Sequence, residues 1–202
     1  MSNENPLDIF TKWYGQAKAN PDVKDHTEMS LATADEQGRP SNRIVLLKGY
    51  DERGFVFYTN YNGRKSEQIK QNSYAAICFY WPPLEKQIRI EGKAEKVSTK
   101  ESDEYFASRP LESRLGAWAS KQSQYLENRE KFLQEIEQYR QKFQDGKIKR
   151  PDHWGGWRII PNCMEFWQAG EFRIHHREVF EKISKNSEDK NNNKWKKSLL
   201  YP

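Results

Sequence analysis

The 202-residue sequence predicts one domain, residues 1–202, built mainly from antiparallel β-strands with helices packed on the sheet, an α+β fold of the Greek-key or barrel-like kind. Short apolar runs rich in Val, Ile, Phe and Tyr recur along the chain, and turn sequences such as "DEQGRP" and "YDERG" separate them. Few segments have helical periodicity, and these do not alternate regularly with strands. That order argues against a parallel α/β fold.

The N-terminal half is predicted to contain two helices and five strands. An amphipathic helix covers most of residues 1–20, and a proline suits its first turn. Residues 29–60 read as three strands, residues 64–71 as a short helix, and two more strands flank the "PPL" break at 82–84. The strand "NRIVLLKG" is an almost continuous apolar run, so we expect it to be buried on both faces.

The C-terminal half is predicted to begin with helices. Ser98 and Glu101 form a capping-box signature that starts a helix running towards Pro110. We interpret "LGAWASKQSQ" as a turn of small residues, followed by a long helix over 123–143 that Ser123 caps.

Strands are predicted to complete the chain. "WRIIP", "CMEFWQ" and "FRIHHREVFEKI" each have strand character. A polar loop, 185–194, then joins the last of them to a closing strand, "KWKKSLLY", in a C-terminal hairpin.

Composition restricts the classes of function. The 34 basic and 29 acidic residues give a net charge of +5, spread along the chain, which favours an anionic partner without specifying nucleic acid. There is no secretory signal pattern and no apolar run of about 18 residues, so we expect a soluble cytoplasmic protein with no membrane contact. Cys78 and Cys163 lie in apolar strand surroundings without a CxxC pair, which predicts reduced core residues rather than a zinc site or a disulfide.

The segment "EFRIHHREVF" carries unusual positive charge. If it is a strand, Arg173, His175 and Arg177 share one face, while Ile174 and His176 share the other. The two histidines then point apart, so they cannot chelate one metal ion. The strand face that carries Arg173, His175 and Arg177 would suit anionic oxygens or an electron-rich ring as a ligand. An exposed, charged strand face without a ligand remains the alternative.

Two further pairs of cations stand where an anion would be favoured. Arg43 and Lys48 lie at the two ends of an apolar strand. Arg64 and Lys65 lie in the first turn of a helix, where unpaired backbone amides and the helix dipole already attract a phosphate. A solvated helix start remains the alternative for this second pair.

A separate polar group follows the capped helix. Tyr105 and Arg109 are spaced i,i+4, and Ser113 comes just after Pro110. Further on, Gln122 and Ser123 could donate hydrogen bonds to a ligand. Two phosphate-holding clusters in a strand-rich chain without a Gly-rich phosphate loop indicate a mononucleotide cofactor and a phosphorylated substrate.

Long segments of the chain resemble the pyridoxine (pyridoxamine) 5'-phosphate oxidase family, in the same order. They are "RIVLLKGYDERGFVFYTNYNGRKSEQI", "QIRIEGKAEKV", "YFASRPLESRLGAWASKQS", "WGGWRIIP" and "EFWQAGEFRIHHR", and the resemblance covers about residues 5–177. It implies a split β-barrel that forms a homodimer with FMN at the subunit interface. It also implies oxidation of pyridoxamine or pyridoxine 5'-phosphate to pyridoxal 5'-phosphate by hydride transfer from C4' to flavin N5, with dioxygen reduced to hydrogen peroxide.

The resemblance also implies roles for individual residues. The FMN contacts it implies are Arg43, Ile44, Val45, Leu46, Leu47, Lys48, Tyr58, Thr59, Arg64, Lys65, Gln87, Gln122, Ser123, Trp167 and Arg177. The substrate contacts it implies are Lys48, Tyr105, Arg109, Ser113, Arg173 and His175. Arg173 and His175 are the implied catalytic residues, because they would stand beside the pyridine ring.

Two positions depart from the family pattern. His176 stands where an Asp is expected, and Leu199 stands where an Arg is expected. These departures keep open a second hypothesis, a split-barrel flavin reductase or a flavin-binding protein without this oxidase activity. A third hypothesis is nucleic-acid binding through basic residues and tryptophans such as Trp154, Trp157 and Trp167. It is disfavoured because these aromatic residues occupy apolar strand positions.

Overall fold

A computed structural model describes residues 4–183 and 194–202. The helices are α1 (Pro6–Ala19), α2 (Arg64–Gln71), α3 (Thr99–Ser108), α4 (Leu111–Ala119) and α5 (Arg129–Lys142). The strands are β1 (Glu28–Ala34), β2 (Pro40–Leu46), β3 (Gly49–Asp51), β4 (Gly54–Asn60), β5 (Tyr74–Trp81), β6 (Lys86–Lys96), β7 (Trp154–Gln168), β8 (His176–Lys182) and β9 (Trp195–Leu199). Within these ranges no helix is long and apolar enough to cross a membrane.

The strands form one antiparallel sheet that curls on itself. Its order is β2-β1-β5-β6-β7-β4-β3, so β4 pairs with β7 rather than with the next strand in sequence. β8 pairs with the other end of β7 and carries β9. The two distant strands β2 and β4 approach each other. The sheet is therefore a curled half-barrel, which confirms the predicted antiparallel barrel-like fold.

Helices cover both ends of the curled sheet. Asn5 caps α1 by accepting the Leu7 N–H, and the buried ring of Phe10 meets Tyr50 and Phe55 edge-on at centroid distances of 4.8 Å each. At the other end α3 and α4 bury Phe106 and Leu115 against Trp154, the first residue of β7. This second cluster holds α3 and α4 beside the outer ends of β4 and β7.

The helices after Pro110 differ from the prediction. Residues 111–119 form α4, although the small residues of "LGAWASKQSQ" predicted a turn; burial of Leu115 stabilises this helix. The helix predicted over 123–143 begins only at Arg129, where the Asn128 side chain accepts the Lys131 N–H at 2.8 Å. Ser123 therefore does not cap it, and instead has a positive φ of 71°.

Two predicted strands are one, and a third begins late. "WRIIP" and "CMEFWQ" both belong to β7, because Pro161 lies between the stretch paired with β4, ending at Ile159, and the stretch paired with β8, beginning at Cys163. The N–H that proline lacks therefore interrupts neither of these two ladders. In the third ladder, between β7 and β6, Pro161 lies opposite Gly92, next to the point where the register shifts. The strand predicted from residue 172 begins at His176, since residues 171–173 form a 3₁₀ turn.

Burial in β2 and at the cysteines is lower than predicted. β2 pairs only with β1, and its side chains alternate, so that Ile44 is 60% exposed; the expectation of burial on both faces was wrong because this is an edge strand. Cys78 and Cys163 are unpaired and half-buried rather than core residues. Most of the predicted polar loop, residues 185–193, lies outside the described residues.

Candidate active site

An open cleft of about 610 Å³ lies where β2 approaches β4, beneath α3 and α4. It brings together twelve of the residues predicted for cofactor or substrate. They are Arg43, Ile44, Val45, Leu46, Lys48, Tyr58, Thr59, Lys65, Tyr105, Arg109, Ser113 and Gln122. The curl of the sheet thus assembles residues that are up to about 80 positions apart in the sequence. We call this site the basic cleft.

One end of the basic cleft is organised around the start of α2. The Lys65 ammonium donates to the Thr59 hydroxyl at 3.0 Å and to Gln122 Oε1 at 2.8 Å. The backbone N–H of Arg64 donates to the Ser123 hydroxyl at 3.1 Å. Gly63 precedes the helix, and a Cβ there would lie 2.5 Å from Gln122 Oε1, so a larger residue would displace the Gln122 side chain. Ser123 therefore holds the loop against α2.

The cations at this end repel one another. Burial, and then the neighbouring Arg43, lower the pKa of Lys65 below its usual value. Burial, and then Arg64, likewise lower the pKa of Arg43, whose guanidinium donates to the Thr33 hydroxyl at 2.7 Å. Within residues 4–183 and 194–202, no acidic side chain forms an ion pair with any of these three cations. A bound anion would relieve this repulsion.

The other end of the cleft is aromatic and carries one half-buried cation, Arg109. The rings of Tyr58 and Tyr105 stack with centroids 4.0 Å apart, and Trp154 lies nearly parallel to both. Arg109 ends α3, and burial lowers its pKa. Ser113, on the first turn of α4, also lines this end. Phenol, guanidinium and hydroxyl groups converge here as hydrogen-bond donors.

The remaining predicted residues do not line the cleft. Gln87, Trp167 and Arg177 are register neighbours across β6, β7 and β8, and the ring of His175 lies 4.7 Å from that of Trp167. We call these four residues the sheet-end cluster. Leu47 is buried behind the cleft, and Arg64 and Ser123 stand at its rim, joined by their hydrogen bond.

Arg173 stands in a tight loop beside the sheet-end cluster. Phe172 and Arg173 have positive φ angles of 53° and 64°, a conformation that costs a non-glycine residue free energy. The Gly170 N–H donates to His175 Nδ1 at 3.3 Å, which closes the loop. The predicted strand face shared by Arg173, His175 and Arg177 was therefore wrong, because alternation starts only at His176.

The guanidinium of Arg177 is fixed from two sides. Its Nε donates to Glu165 at 2.9 Å, and its Nη1 donates to the carbonyl of Tyr201 at 2.9 Å. Glu165 also accepts from Arg89 at 3.1 Å, and the Glu165 hydrogen bond raises the pKa of Arg177. His176, at the position of the expected Asp, instead pairs with Glu178 at 3.1 Å.

The two sites lie at opposite ends of β7. Trp154, in the basic cleft, is the first residue of this 15-residue strand, and Trp167 is the last but one. A strand of this length spans up to about 45 Å. Within one chain the basic cleft and the sheet-end cluster are therefore separate sites.

Sequence reasoning missed two contributors to these sites. Trp154 was considered only as a core or nucleic-acid-stacking residue, although it forms a wall of the basic cleft. Glu165 attracted no attention, because an acidic residue alternating with apolar ones reads as the exposed face of a strand. Its burial follows from the pairing of β7 with both β6 and β8, which local pattern does not reveal.

Comparison with known proteins gives a consistent result. The sequence profile described as pyridoxamine 5'-phosphate oxidase matches residues 16–143, and that described as pyridoxine 5'-phosphate oxidase C-terminal dimerisation region matches residues 154–202. A pyridoxine/pyridoxamine 5'-phosphate oxidase of Pelagibacter ubique (strain HTCC1062) is 46% identical over 98% of this chain and 92% of its own. An enzyme of the same description from Trichormus variabilis (strain ATCC 29413 / PCC 7937) is 46% identical over 91% of this chain and 85% of its own.

Solved structures agree on the fold. PhzG from Burkholderia lata 383, crystallised with tetrahydrophenazine-1-carboxylic acid, superposes with a TM-score of 0.86 at 29% identity, covering 98% of this chain and 93% of its own. A pyridoxamine 5'-phosphate oxidase-related, FMN-binding protein from Nostoc punctiforme PCC 73102 gives a TM-score of 0.71 at 17% identity, covering 96% of each chain.

Proposed function

The chain belongs to the pyridoxamine 5'-phosphate oxidase family, and from this premise we propose that it is an FMN-dependent oxidase of pyridoxamine 5'-phosphate and pyridoxine 5'-phosphate. The observation that carries the proposal is the basic cleft, which has one cationic end at α2 and a second, aromatic end at Arg109. Two anionic groups can be held there at once, as a mononucleotide cofactor together with a phosphorylated substrate requires.

The α2 end has the chemistry expected of a site for the FMN phosphate. Lys65, Arg43 and Arg64 repel one another, Gln122 and Thr59 hold the Lys65 ammonium in place, and the first amides of α2 are close by. A phosphate would replace this repulsion with charge-assisted hydrogen bonds. The exposed apolar side chains of Ile44 and Leu46 on β2 offer a surface for a flat ring system.

A second copy of the chain would complete the site. Gln87, Trp167 and Arg177 are implied FMN contacts, yet in one chain they stand at the far end of β7 from the α2 cations. A homodimer with FMN at the interface reconciles the two positions, because the sheet-end cluster of one protomer would face the basic cleft of its partner. The match to a C-terminal dimerisation region over residues 154–202 supports this arrangement.

FMN, when bound, would supply the redox chemistry, accepting a hydride from C4' of the substrate and passing the electrons to dioxygen to form hydrogen peroxide. The residues of the chain would bind and orient the reactants. Tyr105, Arg109 and Ser113, with Lys48, would hold the substrate phosphate. Arg173 and His175 of the partner subunit would stand beside the pyridine ring, where the Arg173 guanidinium stabilises charge that changes as hydride leaves.

The experiment that tests the proposal is a visible spectrum of the purified protein, followed by aerobic addition of pyridoxamine 5'-phosphate. We expect about one bound flavin per subunit and equal amounts of pyridoxal 5'-phosphate and hydrogen peroxide. If flavin is bound and no aldehyde forms, the oxidase proposal fails, and a split-barrel flavin reductase or flavin-binding protein becomes the better description. If no flavin binds at all, the cofactor proposal fails as well.

A further inference from the structure

Arg109 is an incompletely paired cation in the wall of the basic cleft. Its Nη1 atom is buried and makes no hydrogen bond within the described residues. A buried guanidinium donor without a partner costs free energy unless a ligand supplies one. Burial also lowers the pKa of Arg109, which shows the same unfavourable desolvation of its charge.

An aromatic surface holds this cation in place. The guanidinium carbon of Arg109 lies 4.6 Å from the ring centroid of Trp154 and 5.9 Å from that of Phe106. At these distances the negative face of a ring attracts a cation, most strongly when the ring is an indole. Trp154 is thus the nearer and the better of the two partners.

Trp154 is itself held rigidly. Only 6% of its surface is exposed, and it lies nearly parallel to Tyr105, with centroids 6.2 Å apart and an interplanar angle of 6°. The ring of Phe106 packs edge-on against it, with centroids 5.2 Å apart. Because Trp154 is the first residue of β7, the sheet fixes its backbone as well. Its indole cannot follow a displaced guanidinium, so it defines where that guanidinium stands.

We propose that Trp154 is a positioning residue that holds the Arg109 guanidinium in the wall of the basic cleft, where it can bind the substrate phosphate, and so sets the preference of the enzyme for phosphorylated over unphosphorylated B6 vitamers. This inference rests on the proposed function, and it assigns part of the specificity of the site to a residue that acts through Arg109. The contact with Trp154 keeps the Arg109 side chain in one position before substrate arrives, so that little rotamer entropy remains to be lost on binding.

The test compares Trp154→Phe with Trp157→Phe in the FMN-loaded enzyme. Trp157 is the matched control: it lies on the same strand, is 5% exposed, and donates its indole N–H to the Ser66 hydroxyl rather than contacting Arg109. For each variant, kcat/KM is measured with pyridoxamine 5'-phosphate and with pyridoxamine. We expect Trp154→Phe to lower the ratio of kcat/KM for pyridoxamine 5'-phosphate to kcat/KM for pyridoxamine about fivefold, mainly by raising KM for the phosphorylated substrate.

A loss of stability alone would lower kcat/KM equally for both substrates and leave their ratio unchanged. This is the result that we expect for Trp157→Phe. If Trp154→Phe also leaves the ratio unchanged, the inference is overturned. A double-mutant cycle with Arg109→Ala adds a second criterion. Because Trp154 would act through Arg109, Trp154→Phe should change the ratio less than twofold in the Arg109→Ala background, and a full fivefold effect there contradicts the inference.

Failure of the proposed function is distinguishable from failure of this inference. If the wild-type protein does not oxidise either substrate, the same variants are compared by equilibrium binding of pyridoxal 5'-phosphate and pyridoxal, measured by calorimetry. A preference for the phosphorylated ligand that falls about fivefold in Trp154→Phe and not in Trp157→Phe supports the inference without catalysis. Absence of any preference in the wild type overturns it.

Discussion

At the scale of single residues, the basic cleft holds positive charge against its own repulsion. Lys65 is a half-buried ammonium whose hydrogen bonds go to neutral groups, the Thr59 hydroxyl and the Gln122 amide. Burial and nearby Arg43 both oppose its charge. Such an arrangement is unfavourable for stability alone, and is typical of a site whose anionic ligand supplies the missing interaction.

Replacing Lys65 should therefore affect the cofactor more than the fold. We expect Lys65→Met to weaken FMN binding at least tenfold, because a charge-assisted hydrogen bond to phosphate contributes about 1.5–3 kcal/mol. The control is Lys70→Met on the same helix, since Lys70 is exposed and pairs with Glu67 at 2.7 Å rather than facing the cleft cations. Titration of the apoprotein with FMN, followed by flavin fluorescence, measures both affinities. Equal affinities in the two variants would contradict the assignment of Lys65 to the phosphate.

At the scale of secondary-structure elements, neighbouring strands hold the sheet-end cluster. Arg89 on β6 and Arg177 on β8 both reach the buried carboxylate of Glu165 on β7, at 3.1 and 2.9 Å. The diagonal pairing across β7 and β8 fixes the Arg177 guanidinium before any ligand is present. Glu165 thus determines which guanidinium nitrogens remain free for a ligand.

Removing the charge of Glu165 should disturb Arg177 and, through it, the flavin. We expect Glu165→Gln to weaken FMN binding about tenfold. Glu91→Gln is the matched control, because Glu91 also pairs with Arg89, at 2.8 Å, but is half-exposed and does not reach Arg177. The same fluorescence titration distinguishes the two. If Glu91→Gln weakens binding as much as Glu165→Gln does, the effect comes from Arg89 and not from Arg177.

The start of α3 is tied to the sheet by another carboxylate. Glu101 completes the capping box with Ser98, and its carboxylate accepts from Arg158 at 2.7 Å and from Arg53 at 3.2 Å. The hydrogen bond from Arg158 is the main reason that the pKa of Glu101 falls to about 2 from an ordinary 4.5. Since α3 also carries Tyr105 and is followed directly by Arg109, this contact orients the aromatic end of the cleft.

The lowered pKa of Glu101 gives a definite pH dependence. A carboxylate with a depressed folded-state pKa stabilises the protein above its unfolded pKa, and this contribution is lost as pH falls from about 4.5 to about 2. We expect Glu101→Gln to lower the free energy of unfolding by about 2 kcal/mol at pH 7, and by progressively less below pH 4.5.

Urea unfolding at a series of pH values measures this difference. Glu104→Gln on the same helix is the control, because Glu104 and its partner Lys100, 3.8 Å away, are both largely exposed. A difference between wild type and Glu101→Gln that stays constant down to pH 3 would show that the ion pair with Arg158 is not its source.

The same scale shows what the sequence could and could not predict. The amphipathic pattern of α1 and the capping box of α3 depend on local contacts, and the structure confirms both. The helix α4 and the single strand β7 depend on distant contacts, namely Leu115 against Trp154 and Pro161 between two partner strands. The late start of β8 depends on the left-handed turn at Phe172 and Arg173, two non-glycine residues that rarely adopt this conformation. Local periodicity contains no information about these.

At the scale of the whole molecule, the curled sheet sorts the predicted site residues into two groups. Sequence and family resemblance named the residues, but only the strand order separates the basic cleft from the sheet-end cluster at the other end of β7. The proposed homodimer reunites them, with each site formed by both chains. The oxidase activity and the shared site are therefore one claim, and they can be tested together.

The most direct test mixes two variants whose activity is strongly reduced. Arg109→Ala removes a residue of the basic cleft, and Arg173→Ala removes a residue of the loop beside the sheet-end cluster. In a homodimer of either variant, both sites are therefore damaged. A hybrid dimer contains one chain of each variant. One of its two sites therefore carries both substitutions, and the other site carries neither. After denaturation, mixing and refolding with FMN, we expect about a quarter of wild-type formation of pyridoxal 5'-phosphate and peroxide. If activity stays at the level of the separate variants, while wild type refolded in the same way is active, the site lies within one chain and the account is contradicted.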